Sequence, residues 1–227
     1  MSGLSSVSDV AIITAIFDHY DNIKPIRKQV GLDVDWVLVT DSEDMALQAM
    51  QVGWRAVIKP MPKYKHPNRA AKAPKLAPWN YTDAPESIWV DASFRVISET
   101  FAAEAMSYAN PIAQFKHPWR DCLWDEAHAS KDLPKYVREP IAQQALQYRE
   151  SGYPLHWGLW AAGVIARKHT DEMRVLGERW QEEIFNWSFQ DQVSQPYVLM
   201  ELGIKPTDFP GTHFMNDWLV YEGSGRH

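Results

Sequence analysis

The sequence has a single cysteine, Cys122, in 227 residues. One thiol excludes an internal disulfide and fits a reducing compartment. No apolar run approaches the roughly 20 residues that a membrane span needs. The first nine residues lack the basic segment and long apolar stretch of a signal peptide. These absences together make a soluble, cytoplasmic protein the expectation. Positive charge is not in excess either. The formal net charge is −6, which argues against a non-specific nucleic-acid binder. Repeats, low-complexity tracts and a clear domain linker are all missing. One absence is local. From Arg55 to Thr82 there is no Asp or Glu, while Arg55, Lys59, Lys63, Lys65, Arg69, Lys72 and Lys75 are all basic. An acidic chain that gathers cations in one segment either solvates a repulsive loop or binds an anion, and phosphate is the usual anion.

What is present reads as one domain, residues 1–227, with flexible ends at 1–9 and 220–227. A chain of this length buries roughly 70% of its surface and needs no staple. Its eleven Trp are unusually many. Most belong in a core, and Trp36, Trp89, Trp180 and Trp187 are assigned there, while exposed ones suit sugar-stacking or interface platforms. Val10 to Phe17 is a continuous apolar run, expected of a central parallel strand buried on both faces. Val34 to Asp41 and Trp54 to Ile58 read as further strands. Between them a helix begins at Ser42 or Asp41 as N-cap and runs to about Val52. Strands alternating with helices of this length predict an α/β fold with a mostly parallel central sheet flanked by helices.

The stretch Ser87-Ile88-Trp89-Val90-Asp91-Ala92-Ser93 carries the most chemistry. Three apolar residues form a short buried strand, and Asp91 then sits at its carboxyl end, where open α/β sheets place ligands. Asp91 and Ser93 are two oxygen donors that can share a hard cation, Mg²⁺ or Mn²⁺. The plain alternative is a turn or helix cap. The loop after the first strand is a usual nucleotide site, and Thr14, Ala15 and Tyr20 could line it. Alternatively, Tyr20 only covers the sheet edge. Residues 68–76 look helical apart from Pro74, so Arg69, Lys72 and Lys75, three apart, tend to one face suited to a diphosphate.

Further on, a strand ends at Lys116. His117, Arg120 and Glu126 follow as a dense polar group flanked by Trp119 and Trp124, either a site or a loop that packs on its aromatics. Lys135 to Glu150 reads as an amphipathic helix. Leu155 to Arg167 is apolar with small residues inside it. A long helix capped by Thr170 or Asp171 runs through Trp187 at helical spacing. Asp191 lies between Gln190 and Gln192, just before an apolar segment, and could be that segment's N-cap or an acid with a chemical task.

The order of these pieces, AIITAIFDHYD, VLVTD, RAAKAPK, SIWVDAS, FKHPWRDCLWDEA, GLWAAGVIAR and FQDQVS, resembles a glycosyltransferase-like family with the glycosyltransferase A-type fold. The likeness covers roughly residues 10 to 200. It implies a single nucleotide-sugar-binding domain, a DxD-like element at Asp91-Ala92-Ser93 with a hydroxyl in place of the second carboxylate, and a third metal ligand from a C-terminal His. His213 is the first candidate for that ligand and His227 the second. It also implies that Asp41 and the first-strand loop contact the nucleoside and that the RAAKAPK cations contact the diphosphate.

Glycosyl transfer needs the leaving diphosphate neutralised and an acceptor hydroxyl placed or deprotonated. Asp191 is the first candidate for the acceptor side and Glu126 the second, while His117 and Arg120 could grip sugar hydroxyls or phosphate. The expected activity is that of a metal-dependent, hexosyltransferase-like enzyme with Mn²⁺ or Mg²⁺ and a UDP-sugar as donor. The acceptor is open among a glycan, a protein, a small molecule and a modified nucleic-acid base, and so is the oligomeric state. Two other readings compete. A nucleotidyltransferase shares the sheet and metal Asp but usually carries a Gly-rich loop, which Phe17-Asp18-His19-Tyr20 is not. A non-catalytic nucleotide- or sugar-binding module is the other.

Overall fold

A computed structural model describes residues 7–61 and 66–223. Seven strands form one mixed sheet in the order β3-β2-β1-β4-β7-β6-β8. They are β1 (Val10–Ile16), β2 (Val34–Thr40), β3 (Arg55–Ile58), β4 (Glu86–Val90), β6 (Ile112–Lys116), β7 (Trp160–Lys168) and β8 (Thr207–Asp208). β1 lies between β2 and β4 and is parallel to both. All seven of its residues are buried, as its unbroken apolar run requires of a strand covered on both faces. β7 is the exception in direction, running antiparallel to β4 and β6. The small residues of GLWAAGVIAR are therefore a strand interior. Trp160, Ala162 and Ile165 face one core, while Ala161, Val164 and Ala166 face the other.

The helices are α1 (Glu43–Gln51), α2 (Pro67–Ala70), α3 (Lys72–Leu76), α4 (Phe101–Tyr108), α5 (Leu123–Ser130), α6 (Ile141–Glu150), α7 (Asp171–Asn186) and α8 (Asp191–Glu201). α1 and α4 cover one face, with Met45, Ala49, Phe101 and Ala105 in that core. α3, α5, α6, α7 and α8 cover the other, where Leu76, Leu123, Ile141, Trp180 and Val198 meet. The Ser42 hydroxyl caps α1 through the Met45 N–H, and Thr170 caps α7 through Met173. Trp36, Trp89 and Trp180 are buried as expected. Trp187 is only partly buried and ends α7. Among the described residues, no helix is long and apolar enough to cross a membrane.

The structure changes several of these expectations. The helix expected from Lys135 begins only at Ile141, and the polar group after β6 contains α5 rather than a loop alone. The segment 68–76 is two short helices that meet at Ala71, not one face. Parts of both end segments take a place in the fold. Asp9 accepts a hydrogen bond from the Asp33 N–H, and Val220 and Tyr221 belong to β9 (Leu219–Tyr221), which pairs with β5 (Phe94–Val96). Residues 1–6, 62–65 and 224–227, with Lys63, Lys65 and His227 among them, lie outside the described residues.

Candidate functional site

The carboxyl ends of β1 and β4 open into a cavity of about 160 Å³. Its wall includes Ala15, Tyr20, Lys72, Lys75, Asp91, Ser93, Tyr136, Gln190 and Asp191. Three other hollows, of about 520, 430 and 330 Å³, are larger. None of them gathers buried charges of both signs, so the smaller cavity is the candidate site. A whole nucleotide sugar would be only partly enclosed there, since sites that engulf a ligand run to roughly 300–1,000 Å³.

At its centre lies an ion cluster drawn from three elements. Lys75 Nζ is 2.5 Å from Asp191 Oδ2 and 3.4 Å from Asp91 Oδ1. Lys72 Nζ reaches the same Asp191 oxygen at 2.6 Å. The lysines are one helical turn apart on α3, so both point the same way. α3 is held against α7 at Gly177, where a Cβ would run into the Leu76 carbonyl oxygen. Asp191 is the first residue of α8, where the helix dipole favours a carboxylate. Gln190, not Asp191, is the N-cap, and it makes no side-chain cap bond. The capping reading of Asp191 is thereby replaced by ion pairing.

The charges respond to one another. Burial opposes the Asp191 charge, but Lys72 and Lys75 outweigh it and hold the carboxyl well below the usual carboxylate range. Burial also opposes the Lys75 charge, yet Asp191 and Asp91 raise its pKa above the ordinary lysine value. Lys72 goes the other way. Burial lowers its pKa, Asp191 restores part of that, and the neighbouring Lys75 lowers it again. Two ammonium groups on one carboxylate oxygen leave the second under-compensated, and an incoming anion would complete it.

Asp91 is set by strand geometry. Trp89 and Asp91, two apart, share a face of the chain, and Trp89 Nε1–H donates to Asp91 Oδ1 at 2.5 Å. The Asp91 N–H donates to the Gly163 carbonyl, and a Cβ on Gly163 would come within 3.3 Å of Asp91 Oδ2. The glycine of β7 therefore makes room for the carboxylate, which keeps 40% of its side-chain surface exposed.

Ser93 lines the same cavity. His213 does not line it; burial pushes its pKa down to about 4, and the nearby Asp91 carboxylate offsets only part of that. Its Nδ1 is buried without a hydrogen-bond partner among the described residues. Those residues contain no preformed group of three His, Cys, Asp or Glu for a metal. The donor set fits a cation in another way. Mg²⁺ is commonly held by one or two carboxylates together with substrate phosphates. The charged side chains of the wall, Asp21, Lys72, Lys75, Asp91, Lys135 and Asp191, cancel formally. A diphosphate entering that neutral wall would bring uncompensated negative charge unless a divalent cation came with it.

The remaining sequence candidates separate. Ala15 and Tyr20 line the cavity, and Tyr20 follows a tight turn in which Asp18 and His19 have φ near +50° (52° and 49°). Such strain in non-glycine residues is held only where surroundings enforce it. Here Asp41 accepts the Asp18 N–H at 3.0 Å, so Asp41 braces the loop from outside the cavity. Thr14 is buried and lines a small separate hollow instead. Arg69 turns away from the two lysines, because Ala71 breaks the helix between them. Its guanidinium bonds Glu139 at 2.6 Å and the carbonyls of Ile184 and Trp187, tying α2 to the α7–α8 turn.

His117, Arg120 and Glu126 do form one cluster, alongside the cavity rather than in it. Arg120 Nε donates to Glu126 at 2.6 Å, and Glu126 also accepts from Ser130 and Gln190. His117 Nδ1 accepts the Arg120 N–H at 3.1 Å. Gln190 in turn accepts from the Tyr136 hydroxyl. Gln190 and Tyr136 are wall residues that sequence reasoning missed, since a glutamine beside Asp191 and a tyrosine that reads as one residue of an amphipathic helix give no sign of a site. Trp89 was legible as core but not as the donor to Asp91, although its two-residue offset was a usable sign.

Burial, then the Arg120 charge, pushes the His117 pKa down to about 4. Burial, then Arg167 and Arg174, does the same to His169, whose Nε2 lies 2.9 Å from the Ser87 hydroxyl. Both rings are neutral in the native state, whereas unfolded chains take up the proton near pH 6.5. Between about pH 6.5 and 4 the unfolded state binds more protons, so stability falls as pH drops through that window. Urea melts at pH 7 and 4.5 should show a loss of about 1 kcal/mol per pH unit for each histidine, and His169→Gln should flatten the dependence. A slope unchanged in that variant would contradict the assignment.

Among curated proteins, none matches the chain. Residues 2–216 match the TOD1/MUCI70 glycosyltransferase-like domain. That match spans nearly the whole sequence, the mostly parallel α/β sheet carries the ion cluster and Asp91 where such a fold binds its ligands, and the chain belongs to the TOD1/MUCI70 glycosyltransferase-like family.

Proposed function

We propose that the cavity takes the diphosphate of a nucleotide sugar, a UDP-sugar being the simplest donor, and passes the sugar to an acceptor hydroxyl. The observation that carries this reading is the pair Lys72 and Lys75 sharing one oxygen of Asp191 across from Asp91. Lys72, the under-compensated ammonium, binds a phosphate oxygen, and Lys75 stays on Asp191 and Asp91. Tyr20 and Ala15 meet the nucleoside at the mouth. Asp91, with Ser93 beside it, would hold Mn²⁺ or Mg²⁺, whose chemistry is to neutralise charge on the leaving diphosphate.

Asp191 is a poor general base, because a base works best with a pKa near the operating pH and this carboxylate is held far below it. Its task is to position the lysines. Glu126, saturated by Arg120, Ser130 and Gln190, positions Arg120 in the same way.

The test is UDP binding by calorimetry with Mn²⁺ present. Lys72→Ala should weaken it about 10- to 150-fold, the equivalent of one charge-assisted contact of roughly 1.5–3 kcal/mol. Equal affinity in parent and variant would make Lys72 a purely structural partner of Asp191. Product analysis separates the alternatives. Release of free sugar or transferred sugar from a nucleotide sugar marks a transferase, and binding without turnover marks a non-catalytic module.

A further inference from the structure

Beside the cavity, exposed aromatic rings converge from three separate segments. Trp119, after β6, is 70% exposed, Phe214, after β8, is 45% exposed, and Tyr221 on β9 is 47% exposed. Trp119 and Phe214 have ring centroids 5.6 Å apart at 31°, and Phe214 and Tyr221 are 5.6 Å apart. Large exposed aromatics rarely gather without a use, and contiguous apolar patches rimmed by polar groups mark binding surfaces. The ledge is continuous with the cavity. Ser93 lines the cavity, and Phe94 next to it meets both Phe214, at 6.5 Å, and Tyr221, at 5.5 Å. On the other side Trp119 meets the ring of His117, at 5.8 Å, and precedes Arg120, whose Nε is fixed by Glu126.

We infer that this ledge is the acceptor subsite and that its occupant is a neutral carbohydrate, stacked on Trp119 and Phe214. The inference rests on the transferase reading of the adjoining cavity. A sugar ring offers an apolar face for stacking and a rim of hydroxyls for fixed donors, and the ledge pairs flat rings with the oriented Arg120 guanidinium in that way. A nucleic acid also stacks, but it needs cations along its backbone. The polar groups near Trp119 include the exposed Asp121, which is paired with His156 at 2.7 Å, and the only arginine of the cluster is already on Glu126. These charges are already paired, so the ledge suits a neutral glycan better than a phosphate chain.

The test uses the full chain labelled with 5-fluorotryptophan, the Trp119 resonance being assigned by Trp119→Phe. Cellotriose, xylotriose, mannotriose and chitotriose are titrated by fluorine NMR, with UDP titrated separately into the parent. At least one trisaccharide should move the Trp119 resonance saturably, and Trp119→Ala, folded by circular dichroism, should bind it about tenfold more weakly. No shift with any of the four, or equal binding by the variant, overturns the inference. A Trp119 shift that follows protein concentration alone also overturns it and gives the ledge to a second copy of the chain. The two readings fail separately. UDP binding without a trisaccharide response sinks the ledge, and a trisaccharide response without UDP binding sinks the cavity's assignment while the ledge stands as a carbohydrate site.

Discussion

Replacing Asp91 by Asn should lower sugar transfer by about 10²–10³-fold, the usual loss when one preorganised electrostatic contact to developing charge is removed. The fold should barely notice. The carboxylate is 40% exposed, so water screens its 3.4 Å pairing with Lys75, and solvent-screened ion pairs contribute about 0.5 kcal/mol. Lys75 keeps its 2.5 Å partner Asp191, and an amide oxygen can still accept from Trp89 Nε1. The thermal midpoint should therefore move by no more than about 2 °C. The effect on rate has a different origin. Asn is a weaker oxygen donor to a divalent cation and contributes no charge against the wall's lysines. The measurement is kcat with saturating donor, alongside parent protein treated with EDTA. Parent-like turnover by Asp91→Asn would remove Asp91 from the chemistry. Full activity in EDTA would remove the cation and leave charge neutralisation to Lys72 and Lys75.

The second large effect is expected at Asp191 and is of the opposite kind. Asp191→Asn leaves two buried ammonium groups without their shared carboxylate. Breaking a buried ion pair from one side costs about 3–5 kcal/mol, which for a chain of this size lowers the thermal midpoint by roughly 6–20 °C. A helix-capping acid would have tolerated the amide almost without loss. A general base would have lost turnover while keeping both the midpoint and UDP affinity. The ion cluster predicts that midpoint and UDP affinity fall together, because the lysines lose the group that aims them.

The pH dependence has a fixed sign as well. The Asp191 carboxyl is depressed in the folded state, so its stabilisation is complete above the unfolded value of about 3.9 and declines as pH falls below it. Denaturant melts of parent, Asp191→Asn and Asp191→Glu decide the matter. An asparagine variant within about 1 kcal/mol of the parent, well short of the range for a broken buried pair, would show that the lysines do not depend on Asp191.

The sequence alone determined the layers of this protein and the place of one residue of its candidate site. The unbroken run Val10 to Phe17 could only be a strand covered on both faces, and Ser42 and Thr170 could be read as caps because a cap is a local bond between near neighbours. The position of Asp91 followed from strand periodicity and from where α/β sheets bind ligands. The direction of β7 was not legible, since an apolar run with small residues looks the same whichever way it lies between β4 and β6.

The even spacing of Arg69, Lys72 and Lys75 promised one face, but spacing predicts a shared face only in a continuous helix. Ala71 divides that segment, sending Arg69 to Glu139 and leaving the two lysines together. Tertiary structure alone decided what Asp191 touches. Its partners lie 116 and 119 positions away in the chain, and no local pattern records a bond of that range. The same holds for the ledge of Trp119, Phe214 and Tyr221, because rings from three distant segments become one surface only when the sheet brings their loops to the same end.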